Sequence, residues 1–494
     1  MQLPFGEWLP DQPAHLNPGA TVATNVYHAQ TSYKPVKGLV AYSGASNVTQ
    51  NAKGAGSFRD NTNTVFTFVG TKDNIYKLTS GTFASVKGSC TVSGTDTDFF
   101  TFTQFGQYII ASNGKDAPMY YLMGTSTNFA TLQSLVTAQG SGTVPAKFKI
   151  SGVVRDFLVT GNIENAKNRV QWSGLNDIST WESGVKSSDL QDLPGSGGQV
   201  VAITSGEIGY IFRQDQITRL DFVGGSTVFR FSVISPNRGA VYGQTVCQDN
   251  RQVFFYSSDG FYQLNGDQVL PIGAEKVNRF FESDLNKAYT DRITAAVDPF
   301  NQLAIWLYPS KDNPNTTGIC DKLLIYNYVT QKWSVAKVKA SQIFKQFVIA
   351  NTVELMDIVS ENLDDINISL DTDFWTTGHL YLGAIDENFK AAIFSGTTLE
   401  AEIETKETEI FPNARADITG IRPIVDASAS VTVKTRDRLA DAVTTSTSSA
   451  MNSSGINPVR QSGRYMRANV KIPAGSIWNH AQGIDLTASP GGNR

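Results

Sequence analysis

The feature that most constrains this chain is a unit that recurs from residue 55 to about residue 409. Each copy reads as a strand, a polar turn, a strand, a gap, a strand carrying Tyr or Leu, a turn of small residues, and then a large apolar residue. The clearest copy runs Gln252-Val253-Phe254-Phe255-Tyr256, turns through Ser258-Asp259-Gly260 into Phe261-Tyr262-Gln263-Leu264, and leaves through Asn265-Gly266-Asp267 toward Leu270. Asp-Gly and Asn-Gly accept the positive φ that tight hairpins demand. The other copies pair 65–69 with 75–78, 107–111 with 119–122, 156–159 with 169–172, 208–212 with 217–220, and 303–307 with 323–326; a weaker seventh pairs 380–382 with 389–394. With Phe83, Phe129, Trp181, Phe229, Leu270, Trp333 and Leu399 as markers, the intervals are 46, 52, 48, 41, 63 and 66 residues. A small four-stranded sheet has two faces to bury, and a repeat of this length buries both by packing copies side by side around a ring. The expected fold is all-β, a β-propeller of six or seven blades.

The two long intervals call for insertions. One contains residues 275–286, whose apolar spacing at Val277, Phe280, Phe281 and Leu285 predicts a short helix; the other contains an acidic insertion near 351–373. Outside the body, residues 1–54 are punctuated by Pro and Gly and read as an extended N-terminal arm that drapes over something. Residues 410–494 alternate apolar and polar positions at 431–435 and again at 464–472, which predicts a small C-terminal β-sandwich-like appendage. The opening residues predict no secretion signal, and no apolar run is long enough to predict a membrane span.

Chemistry is hard to place on this chain. There is no nucleotide-binding Gly-rich loop, no zinc-protease helix and no nucleophile elbow, and the four histidines and three cysteines are scattered without ligand spacing. Asp96-Thr97-Asp98 and Asp371-Thr372-Asp373 do not complete a calcium loop. We therefore nominate no catalytic, cofactor or metal residues and expect a protein that is not an enzyme. Charge is more informative. Residues 351–410 carry 14 Asp/Glu against Lys390 and Lys406, whereas 455–494 are basic. Glu400, Glu402 and Glu404 fall on one side of an alternating segment, an expected channel-facing acidic surface that would repel a passing polyanion. Arg464, Arg467 and Lys471 are the candidate basic contacts. Trp8, Tyr27, Tyr33 and Trp478 are the candidate interface anchors, because buried aromatics dominate interfaces.

Three stretches carry a resemblance: LPDQPAHLNPGATVATNVYHAQTSYKPVKGLVAYSG at 9–44, RVQWSGLNDISTWES at 169–183, and SGRYMRANVKIPAGSIWNHAQGIDL at 462–486. Together they resemble the tail nozzle, or packaged-DNA stabilisation, proteins of short-tailed bacteriophages. The resemblance implies a propeller-containing structural subunit of the virion tail, assembled in the host cytoplasm. It also implies six copies in a ring below the portal and its adaptor, forming a tube that conducts and retains double-stranded DNA without sequence-specific contact. The implied partners are the portal-adaptor protein and tail fibre, spike, needle or plug proteins, with no direct membrane span. The alternative function is a carbohydrate-binding or carbohydrate-cleaving propeller on the virion surface, since a pair of carboxylates is all that sugar cleavage requires.

Overall fold

The computed structural model describes residues 1–15, 17–41, 48–79, 81–225, 227–313, 318–347 and 380–492. Strands dominate, and 20 of the 42 described ones form five four-stranded antiparallel sheets. Blade 1 is Gly54–Arg59, Val65–Gly70, Ile75–Thr79 and Thr82–Ser85. Blade 2 is Thr101–Phe105, Tyr108–Ser112, Met119–Leu122 and Ala130–Thr131. Blade 3 is Phe148–Val154, Phe157–Ile163, Ala166–Trp172 and Asp189–Asp192. Blade 4 is Val200–Ile203, Ile208–Arg213, Ile217–Phe222 and Phe229–Ser235, and blade 5 is Cys247–Asp249, Gln252–Ser257, Gly260–Asn265 and Gln268–Pro271.

Blades 6 and 7 share one long strand. Thr294–Asp298, Leu303–Tyr308 and Cys320–Asn327 pair in order onto the first half of Lys332–Phe347, completing blade 6. A register shift at Ala340/Gln342 hands the second half to Leu380–Asp386, which pairs with Ala391–Ile393. The outer strand of this seventh blade is Val40–Ala41, from the N-terminal region. The ring closes where Gln346 donates to the Thr67 hydroxyl of blade 1 at 3.3 Å, and where Phe344 and Ile385 share a core with Val69 and Phe83. The structure therefore resolves six or seven blades into seven.

Packing follows from strand periodicity. Successive side chains of a strand point to opposite faces, so a middle strand with a neighbour on each side must be apolar at every position. In blade 5, Val253 and Phe255 join the core shared with blade 4, while Phe254 and Tyr256 join the core shared with blade 6. Ile109 and Ala111 likewise face blade 1, and Ile110 faces blade 3. One hydrophobic core lies in each of the seven gaps around the ring. Of the sequence markers, Phe83, Phe129, Trp181, Phe229 and Trp333 are buried and Leu399 partly so, but Leu270 is exposed and the chain buries Ile272 in its place. The helix expected within 275–286 is present at Asn278–Asp284, and a second helix, Leu132–Gln139, had no counterpart in the sequence reading. The acidic insertion near 351–373 lies outside the described residues.

The first 41 residues differ from an extended arm reaching elsewhere. Gln2–Pro4 pairs with Ala481–Pro490, and the hairpin Val26–Ala29/Ser32–Pro35 joins the same strand through Tyr33↔Ala481. Ala416–Val425 and Asn457–Gly463 complete that sheet. A second sheet of Val22–Thr24, Ala401–Glu404, Tyr465–Ile472 and Ser430–Arg436 packs on it, so Ile418, Ile421, Ile484 and Leu486 share one core with Val431, Val433, Ala468 and Val470. The C-terminal appendage is thus a sandwich built from both ends of the chain, and 401–404 belongs to it rather than to the propeller. Thr24 also bridges Val335 of blade 6, which joins the sandwich to the ring. Asn25, at φ 60, makes this junction: its side chain accepts from the Lys337 N–H at 2.7 Å and donates to the Glu400 carbonyl at 2.7 Å. Asn is among the few residues that adopt this left-handed conformation readily.

Two outcomes test this account of the N-terminal segment. Deleting residues 1–41 removes strands from the sandwich and from blade 7, so the shortened chain should be insoluble or melt well below the full chain; an unchanged melting temperature would restore the loose arm. His28 is buried against Lys332, whose ammonium nitrogen lies 3.1 Å from Nε2; burial first and Lys332 second push its imidazole down to about 4. The unfolded chain takes up that proton near pH 6.5 and the folded chain only near 4, so stability should fall as pH drops from 6.5 toward 4. His28→Gln should flatten that part of the pH profile in urea titrations.

Candidate functional site

The inner strands of the seven blades surround a central channel of about 600 Å³. Its wall mixes small or hydroxylated side chains such as Ala55, Thr103, Ser151 and Thr204 with larger ones such as Phe102, Ile203 and Gln342. Thr103 and Ser151, on neighbouring inner strands, share a hydroxyl contact of 2.9 Å, and Lys345 donates to the Gln248 carbonyl at 2.7 Å. Spread along inner strands about 17 Å long, this volume, which is the space open to the centres of water molecules, corresponds to a bore roughly 10 Å from wall to wall. A duplex, whose major groove alone is about 12 Å wide, does not pass through it.

At one end the starts of the inner strands converge on a recess of about 140 Å³ that opens into the channel. Phe99 precedes the inner strand of blade 2, Lys149 opens that of blade 3, Gln199 precedes that of blade 4, Gln244 that of blade 5, and Asp291 that of blade 6. Gly243 lets the chain come this close: a Cβ there would fall 2.0 Å from the Val201 carbonyl oxygen. The Lys149 ammonium lies 4.1 Å from the centre of the Phe99 ring, a cation–π contact. Burial pulls the Lys149 pKa below the ordinary lysine value, and Lys167 and Lys115 add to the effect while Asp98 and Asp291 oppose it. Lys53, ahead of blade 1, donates to the Asp96 carbonyl and is lowered in the same way, by burial first. Among the described residues no three His, Cys, Asp or Glu side chains converge to hold a metal ion. The arrangement offers charge, amides and an aromatic face, which is the equipment of a binding site. The sequence reading missed this mouth because its residues come from five separate blades and none sits in a local motif.

The residues expected to be functional lie elsewhere. Trp8 is 3% exposed and packs edge-on against Phe280; Tyr33 is fully buried and donates to the Gly6 carbonyl at 2.8 Å; Trp478 is 3% exposed in the sandwich core. Tyr27 is half-buried and donates to Asn301 at 3.2 Å. Trp8, Tyr33 and Trp478 are thus buried within the subunit and anchor the chain's own ends, whereas Tyr27 stays partly exposed.

The acidic and basic candidates meet each other. Strand pairing sets Glu402 opposite Lys471 and Glu404 opposite Asn469. Arg467 reaches Glu404 at 3.1 Å, and Lys471 lies 3.9 Å from Glu402 and 4.0 Å from Glu400. Glu404 is 1% exposed, salt-bridged to Lys434, and accepts from the Thr21 hydroxyl at 2.9 Å; the neighbouring Glu407 pairs with Arg436. Burial pushes the Glu404 carboxyl up, but Lys434 and Arg467 outweigh it, and the net shift is below the usual carboxylate value. Within one subunit none of the three lines the propeller channel, and Glu402 and Glu404 face cations of the neighbouring strands, while Glu400 stays 61% exposed. Arg464 is half-buried.

No family model matches the chain, and no curated protein matches it. Among solved structures, a chain of a mitotic checkpoint complex is 9% identical, with 75% of this chain and 96% of that chain covered and a TM-score of 0.38. BBS1N in complex with ARL6DN is 9% identical, covering 76% and 98% with a TM-score of 0.40. The Pan2 WD40 domain of Neurospora crassa is 8% identical, covering 74% and 96% with a TM-score of 0.38. At these scores the seven-bladed assignment stands on the strand pairing described above.

Glu404→Gln leaves Lys434 and Arg467 without their carboxylate and should cost about 3 kcal/mol in urea unfolding at neutral pH. Because the folded carboxyl titrates below its unfolded value, this contribution is complete above about pH 4.5 and is lost as pH falls further. The gap between wild type and variant should therefore narrow at pH 3.5; a constant gap would mean that the cost comes from packing alone.

Proposed function

We propose that this chain is a structural subunit of a short-tailed phage virion, a tail nozzle protein that assembles as a hexameric ring to conduct and retain packaged double-stranded DNA. One observation carries the reading. The two stretches that resemble nozzle proteins most extensively, 9–44 and 462–486, are more than four hundred residues apart in sequence, yet they are neighbours in one sandwich through Tyr33↔Ala481. Similarity in two distant segments that meet in one module is what a shared assembly element would leave, and the third stretch, 169–183, adds part of blade 3 to it.

Two further points support it. A rigid seven-bladed body joined to a sandwich by a continuous sheet gives a subunit able to hold fixed angles to its neighbours, as a closed ring requires. The channel within each propeller is too narrow for a duplex, so in this reading the conduit runs along the ring axis between copies. The partners belonging to this proposal are the portal-adaptor protein above and fibre, spike, needle or plug proteins at the side or tip.

The test is assembly. Purified chain, alone and mixed with portal–adaptor complexes, should give sixfold rings in electron micrographs and a hexamer mass by native mass spectrometry. A chain that stays monomeric in the presence of the adaptor overturns the proposal.

A further inference from the structure

Lys149 lines the recess at the channel mouth, and Lys115 and Lys167 stand near enough to repel its charge: a Cβ on Gly114, the neighbour of Lys115, would fall 2.9 Å from the Lys149 Cβ. Lys149 opens the inner strand of blade 3, and Lys167 stands near the start of the third strand of that blade. Lys115 sits on the turn between the second and third strands of blade 2, where Asn113 accepts the N–H groups of Lys115 and Asp116, each at 2.9 Å. The adjoining carboxylate, Asp116, is already occupied by Ser93 and by Asn113, at 2.6 and 2.8 Å. Among the described residues none of the three lysines makes an ion pair within 4.0 Å. The contrast is local: Lys147, two residues before Lys149, pairs with Glu164 at 2.8 Å. Of the carboxylates facing Lys149, Asp98 is held by the Thr95 N–H and hydroxyl at 2.9 and 2.7 Å, and Asp291 lies across the recess. Like charges held near one another on two strands and a turn, one of them partly desolvated, leave a site that a negative group stabilises.

We infer that this mouth is a socket for an acidic loop of a partner protein, with one carboxylate side chain entering the recess to meet Lys149 while flanking carboxylates meet Lys115 and Lys167 at the rim. Size and charge select this occupant. A recess of about 140 Å³ admits a side chain on a flexible stem and excludes a duplex backbone with its bases. Asp291, across from Lys149, penalises a dianionic phosphate more than a singly charged carboxylate. Phe99 and the amides of Gln199 and Gln244 give the stem of such a side chain an apolar face and hydrogen-bonding neighbours.

The inference extends the ring reading by giving the subunit a partner-binding site, and its test uses the isolated full chain so that the two fail separately. A fluorescein-labelled peptide Gly-Asp-Glu-Asp-Gly, its amide counterpart Gly-Asn-Gln-Asn-Gly, inorganic phosphate and a short DNA duplex are compared by anisotropy or competition at low salt. The acidic peptide should bind saturably and the amide peptide should not. Lys115→Glu/Lys167→Glu, a surface change, should weaken the acidic peptide at least about tenfold, Lys149→Met should do the same, and Lys34→Glu/Lys37→Glu on another face should leave it unchanged. Absence of peptide binding, equal binding of the amide peptide, tighter binding of phosphate or duplex, or equal loss in the Lys34/Lys37 variant each overturns the socket. Peptide binding by a chain that forms no ring keeps the socket and discards the ring.

Discussion

Everything in this molecule depends on the two-sidedness of its middle strands. A strand such as Gln252–Ser257 is buried at five consecutive positions because each face meets a different blade. No sheet of this kind is stable alone, since leaving one face wet would expose side chains each worth roughly 1.5–3 kcal/mol of burial. The demand passes from blade to blade until the last one covers the first. That final step is made by Phe344 and Ile385 against Val69 and Phe83, and the last blade needs Val40–Ala41 to complete its outer edge. Closure therefore commits the N-terminal region to the body. Once Val40–Ala41 is fixed, the preceding residues have only a short reach, and they spend it in the sandwich and on Val335.

The same two-sidedness explains what was legible. Continuous apolar runs such as Tyr210-Ile211-Phe212 and Leu303–Tyr308, bounded by Gly and Asn turns, announce buried strands whatever surrounds them. The second and third strands of each blade could thus be read in order. The inner strands could not. Gly54–Arg59 and Thr294–Asp298 face a channel on one edge and are rich in Gly, Ser, Thr and Ala, so they lack the periodicity that marks a strand. The channel mouth was invisible for the same reason: its residues sit at the beginnings of strands that carry no pattern of their own.

Misplacement of the charged and aromatic candidates has a different origin. Alternation shows that Glu402 and Glu404 share a face, but it says nothing about the strand beside them, which comes from residues 465–472. Likewise Trp8, Tyr33 and Trp478 were recognisable as anchors, while the surface they anchor to was not. Partners separated by hundreds of residues leave no local trace. The pairing of Glu404 with Lys434, Arg467 and Thr21 joins the N-terminal segment to three strands from the C-terminal region, so both end regions are fixed by one buried charge cluster.

That cluster bears on how the proposed ring would handle DNA. A conduit between copies needs surfaces that do not grip a polyanion, and the acidic candidates Glu402 and Glu404 already face cations within the sandwich. Gripping is also limited, because Arg467 and Lys471 are engaged by carboxylates and are not free to release counterions from phosphates. A surface whose cations and anions are paired in this way presents little net field to whatever lies against it, whichever direction the sandwich faces.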